Sequence, residues 1–189
     1  MSDADQLRRL LLERSVRRGD FVLASGQRSS YYIDCRPTTM SAEGQVLIGR
    51  LGLAALEASG WKPRTIGGLT MGADPIAYAI AAASWHAGRP IDAFSVRKEA
   101  KNHGIGRQVE GNFQPGDPVV VIEDVITSGG SAERAISAVV DGGGQVLGVL
   151  AVVDREQGGR EHLLQLGYNV VSLTTTSQLG LVPSTAGQS

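Results

Sequence analysis

Val119-Val-Val-Ile-Glu-Asp-Val-Ile-Thr-Ser-Gly-Gly-Ser131 is the stretch from which the rest of the chain can be read. Four apolar β-formers run into two adjacent carboxylates, Glu123 and Asp124, and then into a small-residue loop, Thr127 to Ser131. After it, Ala132, Ile136, Val139 and Val140 repeat at helical spacing. The pattern predicts a buried strand over 118–122, an acidic pair at its carboxyl end, a tight loop and a helix N-terminus. In an open α/β sheet that is where ligands bind.

The loop and the helix N-terminus suit a phosphate. A phosphate needs closely approaching backbone N–H groups. Gly129 and Gly130 suit such a turn, the helix dipole favours the anion, and Thr127, Ser128 and Ser131 add hydroxyls. Two other phosphate motifs are excluded, because the chain has neither G-x-x-x-x-G-K-[ST] nor a G-x-G-x-x-G between strand and helix.

Bulk properties narrow the field. With 189 residues and 42% hydrophobic content, the chain is long enough for one domain with a core, so 1–189 is expected to be a single domain. A net charge of −1 gives no general pull toward nucleic acid or an acidic membrane, so anions must be bound by local clusters. No apolar run has the length of a membrane span, and the charged first residues do not resemble a signal peptide. A lone Cys35 cannot form an internal disulfide and reads as a structural thiol. These features point to the cytoplasm.

Along the chain, Ser2 and Asp5 fit a capping box opening a helix over 2–17, with Leu7, Leu10 and Leu11 on one face. Short strands are expected at 21–23 and 31–33. Ser41 is expected to cap a helix with a stripe of Leu47, Leu51, Ala54 and Ala58, ended by Gly60. From Thr65 the pattern alternates: strand, a helix with Asp74 as N-cap and Pro75 at its first position, then a strand over 91–96. Residues 97–113 lack an apolar period and read as a long loop. The strand over 118–122 and its helix follow. Gly142 to Gly144 turn into a strand over 145–153, then a short helix at 163–166 and a strand at 169–173. The fold class is therefore α/β, a mostly parallel sheet flanked by helices. Residues 1–40 are expected to form a helix and flap over the sheet's carboxyl edge, 41–175 the α/β core, and 181–189 a disordered tail.

A second segment carries charge. Arg97, Lys98, Lys101 and Arg107, with His103, lie within eleven residues that include Gly104 and Gly106. Long loops in compact domains are often lids. On charge alone a solvated polar loop is the other reading; cations arriving with a closing lid would serve an anionic ligand.

The stretch from Val119 to Ser131 resembles the phosphoribosyl-diphosphate motif of type I phosphoribosyltransferases. Arg97-Lys-x-x-Lys-x-His-Gly104 resembles the mobile loop of the orotate phosphoribosyltransferase family within that fold. Ser25-Gly26-x-x-Ser29-x-Tyr31-Tyr32-Ile33-Asp34, Gly72 to Pro75 and Asp154-Arg155-Glu156 also match, in the family's order. The resemblance implies that Arg97, Lys98, Lys101 and His103 contact the diphosphate. Lys101 and His103 would reach the partner subunit's site in a homodimer, and with Asp124 would be the catalytic residues. Glu123 and Asp124 would hold the ribose hydroxyls. The run through Val125, Ile126, Thr127, Ser128, Gly129, Gly130 and Ser131 would complete the phosphoribosyl-diphosphate site, with the 5-phosphate on 127–131. Thr127, Arg155, Tyr32 and Ile33 would meet orotate. For Arg155 the alternative is a surface ion pair with Asp154 or Glu156, and Tyr32 and Ile33 could equally be core.

The implied reaction joins orotate to 5-phosphoribosyl 1-diphosphate, giving orotidine 5′-monophosphate and pyrophosphate in pyrimidine synthesis. Mg²⁺ is the implied cofactor, held mainly by substrate and water. No nucleic-acid or membrane partner is implied. Two departures stand out: the family often has lysines where this chain has Ala24 and Gly72. Arg28, Arg36 and Arg107 are candidates to compensate. Rival readings are a transferase for another base and a non-catalytic regulator that keeps the phosphoribosyl-diphosphate site.

Overall fold

The structure, a computed structural model, describes residues 1–22, 28–98 and 108–181. Its centre is a six-stranded sheet in the order β5-β4-β3-β6-β7-β8. The strands are β3 (Thr65–Leu69), β4 (Asp92–Val96), β5 (Val109–Gly111), β6 (Pro118–Ile126), β7 (Gln145–Asp154) and β8 (Val170–Thr175). All neighbours are parallel except the β4–β5 edge pair. Helices α1 (Asp3–Arg14), α3 (Ala42–Ala58) and α4 (Asp74–His86) pack on one face, and α5 (Gly130–Asp141) and α6 (Gly159–Gln165) on the other.

The two faces are written into β6. Val120 and Ile122 enter the core under α3 and α4, while Val119 and Val121 enter the core under α5. This alternation is what a strand buried on both sides requires. It breaks at the acidic pair: Val125 packs on the α3–α4 side and Ile126 on the α5 side, the reverse of the established phase. The strand itself continues to Ile126, so Glu123 and Asp124 lie within β6 rather than beyond an end at 122.

The sheet order reverses at β3 and β6. From β3 the chain steps outward to β4, whereas β6 is followed by β7 and β8 on the other side. The carboxyl ends of β3 and β6 therefore flank a topological switch point, where neighbouring connections diverge and leave a crevice.

The amino-terminal part begins with α1, whose Ser2–Asp5 capping box is formed. The helix stops at Arg14, short of residue 17, because Val16–Val22 (β1) pairs antiparallel with Arg28–Ile33 (β2). Both strands are longer than the expected 21–23 and 31–33. Most of β1 is exposed, so no apolar alternation marked it. A four-residue helix α2 (Arg36–Thr39) follows, with Pro37 in its first turn.

Other boundaries also move for physical reasons. Ser41 caps α3 as expected, but Ala54 and Ala58 are exposed. The buried stripe is Leu47, Ile48, Gly52 and Leu56, with Gly44 and Gly49. A Cβ at Gly49 would lie 2.7 Å from the Ala79 carbonyl oxygen, so the glycines let α3 approach α4 closely. A hydrophobic count cannot see them. Asp74 is not an N-cap: Ala73 holds that position, and the Asp74 carboxylate accepts from Thr70 Oγ1 at 2.6 Å and Ser95 Oγ at 2.7 Å. Val140 is 48% exposed, and Ala135 and Ala138 complete the buried face of α5 instead. The region 97–113 contains β5, added through pairing with β4. Strand β4 begins at Asp92, β7 reaches Asp154, α6 starts at Gly159 and β8 runs to Thr175. The tail expected over 181–189 lies outside the described residues except for Leu181, which is buried in the core.

Candidate active site

A cavity of about 800 Å³ opens at the switch point. The end of β3 and its following turn contribute Leu69, Thr70, Met71 and Gly72. Strand β6 and its loop contribute Glu123, Asp124, Val125, Thr127 and Ser128, and α5 adds Ser131 and Arg134. The β1–β2 hairpin and its exit give Tyr32, Ile33, Asp34 and Arg36, and Lys98 and Arg155 complete the wall. Positions separated by more than a hundred residues in sequence thus converge on one crevice.

The acidic pair is asymmetric. Glu123 is 8% exposed, and its Oε1 accepts from the Asp124 N–H at 3.3 Å. Burial, then the neighbouring Asp124 carboxylate, pushes the Glu123 carboxyl well above the ordinary carboxylate range. Asp124 is more open and accepts from the Val125 N–H at 2.9 Å. Its carboxylate packs over Gly72, where a Cβ would stand 2.8 Å from Asp124 Cγ. The absence of a side chain at 72 is therefore part of how Asp124 sits.

The loop after β6 ends on Gly129, which adopts φ 85° and precedes α5 without a side-chain cap. Glycine is needed there because that φ strains any other residue. The first-turn amides of α5 are thereby left for a ligand. Helix α6 lies against this loop: a Cβ at Gly159 would meet the Thr127 carbonyl oxygen at 2.6 Å and Gly129 N at 2.8 Å. Between the helices, His162 Nε2 and Glu133 Oε2 are 2.9 Å apart.

Arg155 departs from a surface residue in every respect. It is 5% exposed, with Nε and Nη2 buried and without hydrogen-bond partners among the described residues. Its Cζ lies 5.1 Å from the centroid of the Tyr31 ring. The surface ion pair is excluded: Asp154 pairs with Arg160 at 3.9 Å, and Glu156 accepts from Ser177 N and Thr176 Oγ1. A buried guanidinium at a cavity wall with two unpartnered donors is suited to an anion, since unmade hydrogen bonds of this kind cost about 1–3 kcal/mol each or more.

The chain has no matching family model. It is 46% identical over 182 residues to the orotate phosphoribosyltransferase of Aquifex aeolicus, covering 95% of this chain and 98% of that one. It is 45% identical over 178 residues to that of Rhodopirellula baltica, covering 92% of each. The chain belongs to the orotate phosphoribosyltransferase family. It is accordingly an enzyme, a pentosyl-transferring glycosyltransferase. A solved Mycobacterium tuberculosis orotate phosphoribosyltransferase, in complex with 5-phospho-alpha-D-ribosyl 1-diphosphate, superposes with TM-score 0.81 at 40% identity, over 95% of this chain and all of that one. Leishmania donovani adenine phosphoribosyltransferase shares the fold alone, with TM-score 0.64 at 18% identity.

Within this family frame the expected site residues divide. Tyr32, Ile33, Lys98, Glu123, Asp124, Val125, Thr127, Ser128, Ser131 and Arg155 line the cavity. Ile126 is buried in the core, and Gly129 and Gly130 shape the loop without lining the wall. Arg97 Nε donates to Glu110 Oε1 at 3.0 Å, across the β4–β5 pair. Lys101, His103 and Arg107 lie outside the described residues, as do Ala24, Ser25 and Gly26. Of the candidates for compensation, Arg28 pairs with Asp20, whereas Arg36 lines the cavity. Sequence reading missed Tyr31 and Arg134. Tyr31 sits in a strand with strict burial alternation, which marks it as core but not as a shelf for Arg155. Cys35 is fully buried, and burial pushes its thiol up, as befits a structural residue.

Proposed function

We propose that the cavity at the β3–β6 switch point carries out the family reaction on orotate and 5-phosphoribosyl 1-diphosphate, with the residues found there in the following roles. The ribose hydroxyls fall to the Glu123–Asp124 pair, and the 5-phosphate to the 127–131 loop and the amides of α5. The orotate carboxylate falls to Arg155, with Thr127, Tyr32 and Ile33 beside the ring. Lys98 and Arg97, with Lys101 and His103 of the same segment, serve the diphosphate. The observation that carries this reading is the buried Arg155 guanidinium at the cavity wall, whose Nε and Nη2 have no partner among the described residues. A planar carboxylate satisfies it as no neutral base can.

In the reaction, N1 of the orotate anion attacks C1 of the sugar as the C1–O bond breaks. The diphosphate leaves with the bonding electrons. The anionic nucleophile needs no strong base, so positioning and electrostatic stabilisation carry the rate. Asp34, Glu123 and Asp124 are the cavity's carboxylates, and among the described residues no group of three or more His, Cys, Asp or Glu converges as a metal cage. Oxygen donors of this kind suit Mg²⁺, which would be held mainly by substrate and water near these carboxylates. Such an ion would supply positive charge to offset that of the leaving diphosphate.

Three further statements belong to this reading. Residues 1–189 act as one domain, supported by a core that joins Leu7 and Leu11 of α1 to Ile48, Ile122 and Val152. The enzyme works as a homodimer in which Lys101 and His103 serve the partner subunit's site, supported by the family match and by exposed Val46, Tyr78 and Trp85 on α3 and α4. It resides in the cytoplasm, and no helix among the described residues is long and apolar enough to cross a membrane.

An assay of purified protein with both substrates and Mg²⁺, following loss of orotate absorbance, tests the reaction. Adenine, hypoxanthine and uracil serve as parallel acceptors. Turnover of orotate alone is expected, and turnover of another base in its place would overturn the role given to Arg155.

A further inference from the structure

The cavity wall opposite the 5-phosphate loop poses a charge problem. The turn after β3 brings Thr70, Met71 and Gly72, none of them charged. Gly72 cannot gain a side chain without displacing the Asp124 carboxylate. C1 and C4, the carbon that bears C5, flank the ring oxygen on opposite sides of the ribose ring. With the hydroxyls on Glu123 and Asp124 and the 5-phosphate on 127–131, the diphosphate on C1 is directed toward this uncharged wall.

Arg36 is a cation that lines both this cavity and a shallow annex beside that turn. It opens α2, directly behind β2. Met71 shares the annex, which sets Arg36 beside the 70–72 turn; Arg14 also stands in the annex but does not line the main cavity. Two of the other cavity cations among the described residues face other groups: Arg155 is buried against Tyr31, and Arg134 Nη2 donates to Ser131 Oγ at 3.2 Å on the 5-phosphate side. Lys98, also given to the diphosphate, enters the cavity from the end of β4, and Arg36 would add a second cation from the α2 corner.

The orientation of Arg36 is fixed by its neighbour. Asp34 Oδ1 accepts from Arg36 N at 3.1 Å and from Nε at 2.8 Å, and Oδ2 accepts from Nη2 at 2.8 Å. This fork takes the Nε–Nη2 edge of the guanidinium. The Nη1–Nη2 end keeps its outward N–H donors, and the side chain is half exposed. A guanidinium held on one edge and open on the other is prepared for a second anion.

We propose that Arg36 is a substrate-binding residue that donates from its open end to the diphosphate of 5-phosphoribosyl 1-diphosphate, with Asp34 as its positioning residue. The proposal rests on the reading that this cavity takes that substrate. It places the cation on the α2 corner, where it reaches the leaving group without disturbing Asp124 over Gly72.

The test uses inorganic pyrophosphate with Mg²⁺ as competitor in the forward assay, on the full-length protein and on Arg36→Ala, Arg36→Lys and Asp34→Asn. Arg36→Ala is expected to weaken pyrophosphate inhibition and raise KM for 5-phosphoribosyl 1-diphosphate by about tenfold or more, the scale of one charge-assisted contact. KM for orotate should stay within about twofold. Arg36→Lys keeps the charge without the fork and should recover part of the loss, which also answers for any folding defect in the alanine variant. Asp34→Asn, which removes the pair but not the cation, should lose less than Arg36→Ala. Unchanged pyrophosphate inhibition in Arg36→Ala overturns the proposal. So does an equal loss in Asp34→Asn, which would make Arg36 a structural partner of Asp34. A native protein that pyrophosphate does not inhibit at all would instead refute the reading of the cavity.

Discussion

A methyl group added at Gly72 would lie 2.8 Å from the carbon of the Asp124 carboxylate, too near for both to keep their places. Gly72→Ala is therefore expected to lower kcat/KM for 5-phosphoribosyl 1-diphosphate by about tenfold, since a displacement near 1 Å at a reacting centre has large effects. Steady-state kinetics beside a melting curve would check it, and native kinetics would remove Asp124 from the ribose role. At Arg155 the geometry predicts an effect on the other substrate. Arg155→Lys keeps the charge but loses the planar fork, and should raise KM for orotate by about tenfold or more while sparing the phosphoribosyl donor. Glu123 gives a pH prediction. Its folded-state pKa is raised above the ordinary 4.5 by burial and by Asp124, so ionising it costs more in the fold than in the unfolded chain. Its contribution to stability is fully present below about pH 4.5 and is lost as pH rises toward the folded-state value. The melting temperature of Glu123→Gln relative to the native protein should therefore climb as pH goes from about 4 to about 8. A flat difference would show that Glu123 ionises as freely in the fold as outside it.

At the scale of elements, the 127–131 loop, to which the 5-phosphate is assigned by proposal, is held from behind. Helix α6 seats Gly159 against Ile126, Thr127 and Gly129 with no room for a Cβ. Gly159→Ala forces the loop and helix apart, and such overpacking costs about 1–3 kcal/mol. Lower thermal stability together with weaker binding of 5-phosphoribosyl 1-diphosphate is the expected pair of results. A loss of stability with unchanged binding would separate α6 from the site. Strand β6 shows how far an element is legible locally. Its apolar run announced a strand buried on two faces, but the change of phase at Glu123–Asp124 did not show, because it depends on the partner strands and the core beyond. The stripe of α3 failed in the same way: Gly49 and Gly52 are interface residues through the space they leave for α4.

For the whole molecule, the proposed sharing of Lys101 between the subunits of a homodimer makes a prediction that no single subunit can satisfy. Lys101→Ala and Asp124→Asn should each be nearly inactive as homodimers. Mixed and allowed to exchange, they should form heterodimers in which one site draws an intact acid from one chain and an intact lysine from the other. Random pairing at equal amounts would restore about one quarter of native sites. No recovery, with exchange verified by a tagged subunit, would mean that each loop serves its own chain.

What the sequence by itself determined was local chemistry and its order. A β run into two acids and a glycine loop, and a cationic segment, carry their meaning in residue type and spacing, because short-range backbone and charge requirements fix them; Arg155 between two acids did not, and read also as a surface ion pair. What only the tertiary structure decided was juxtaposition. Tyr31 beneath Arg155, Asp124 over Gly72, Asp34 steering Arg36 and Gly159 behind the 127–131 loop all join distant or differently oriented positions. Their energies arise from burial and close approach, and these exist only once the strands have met at the switch point.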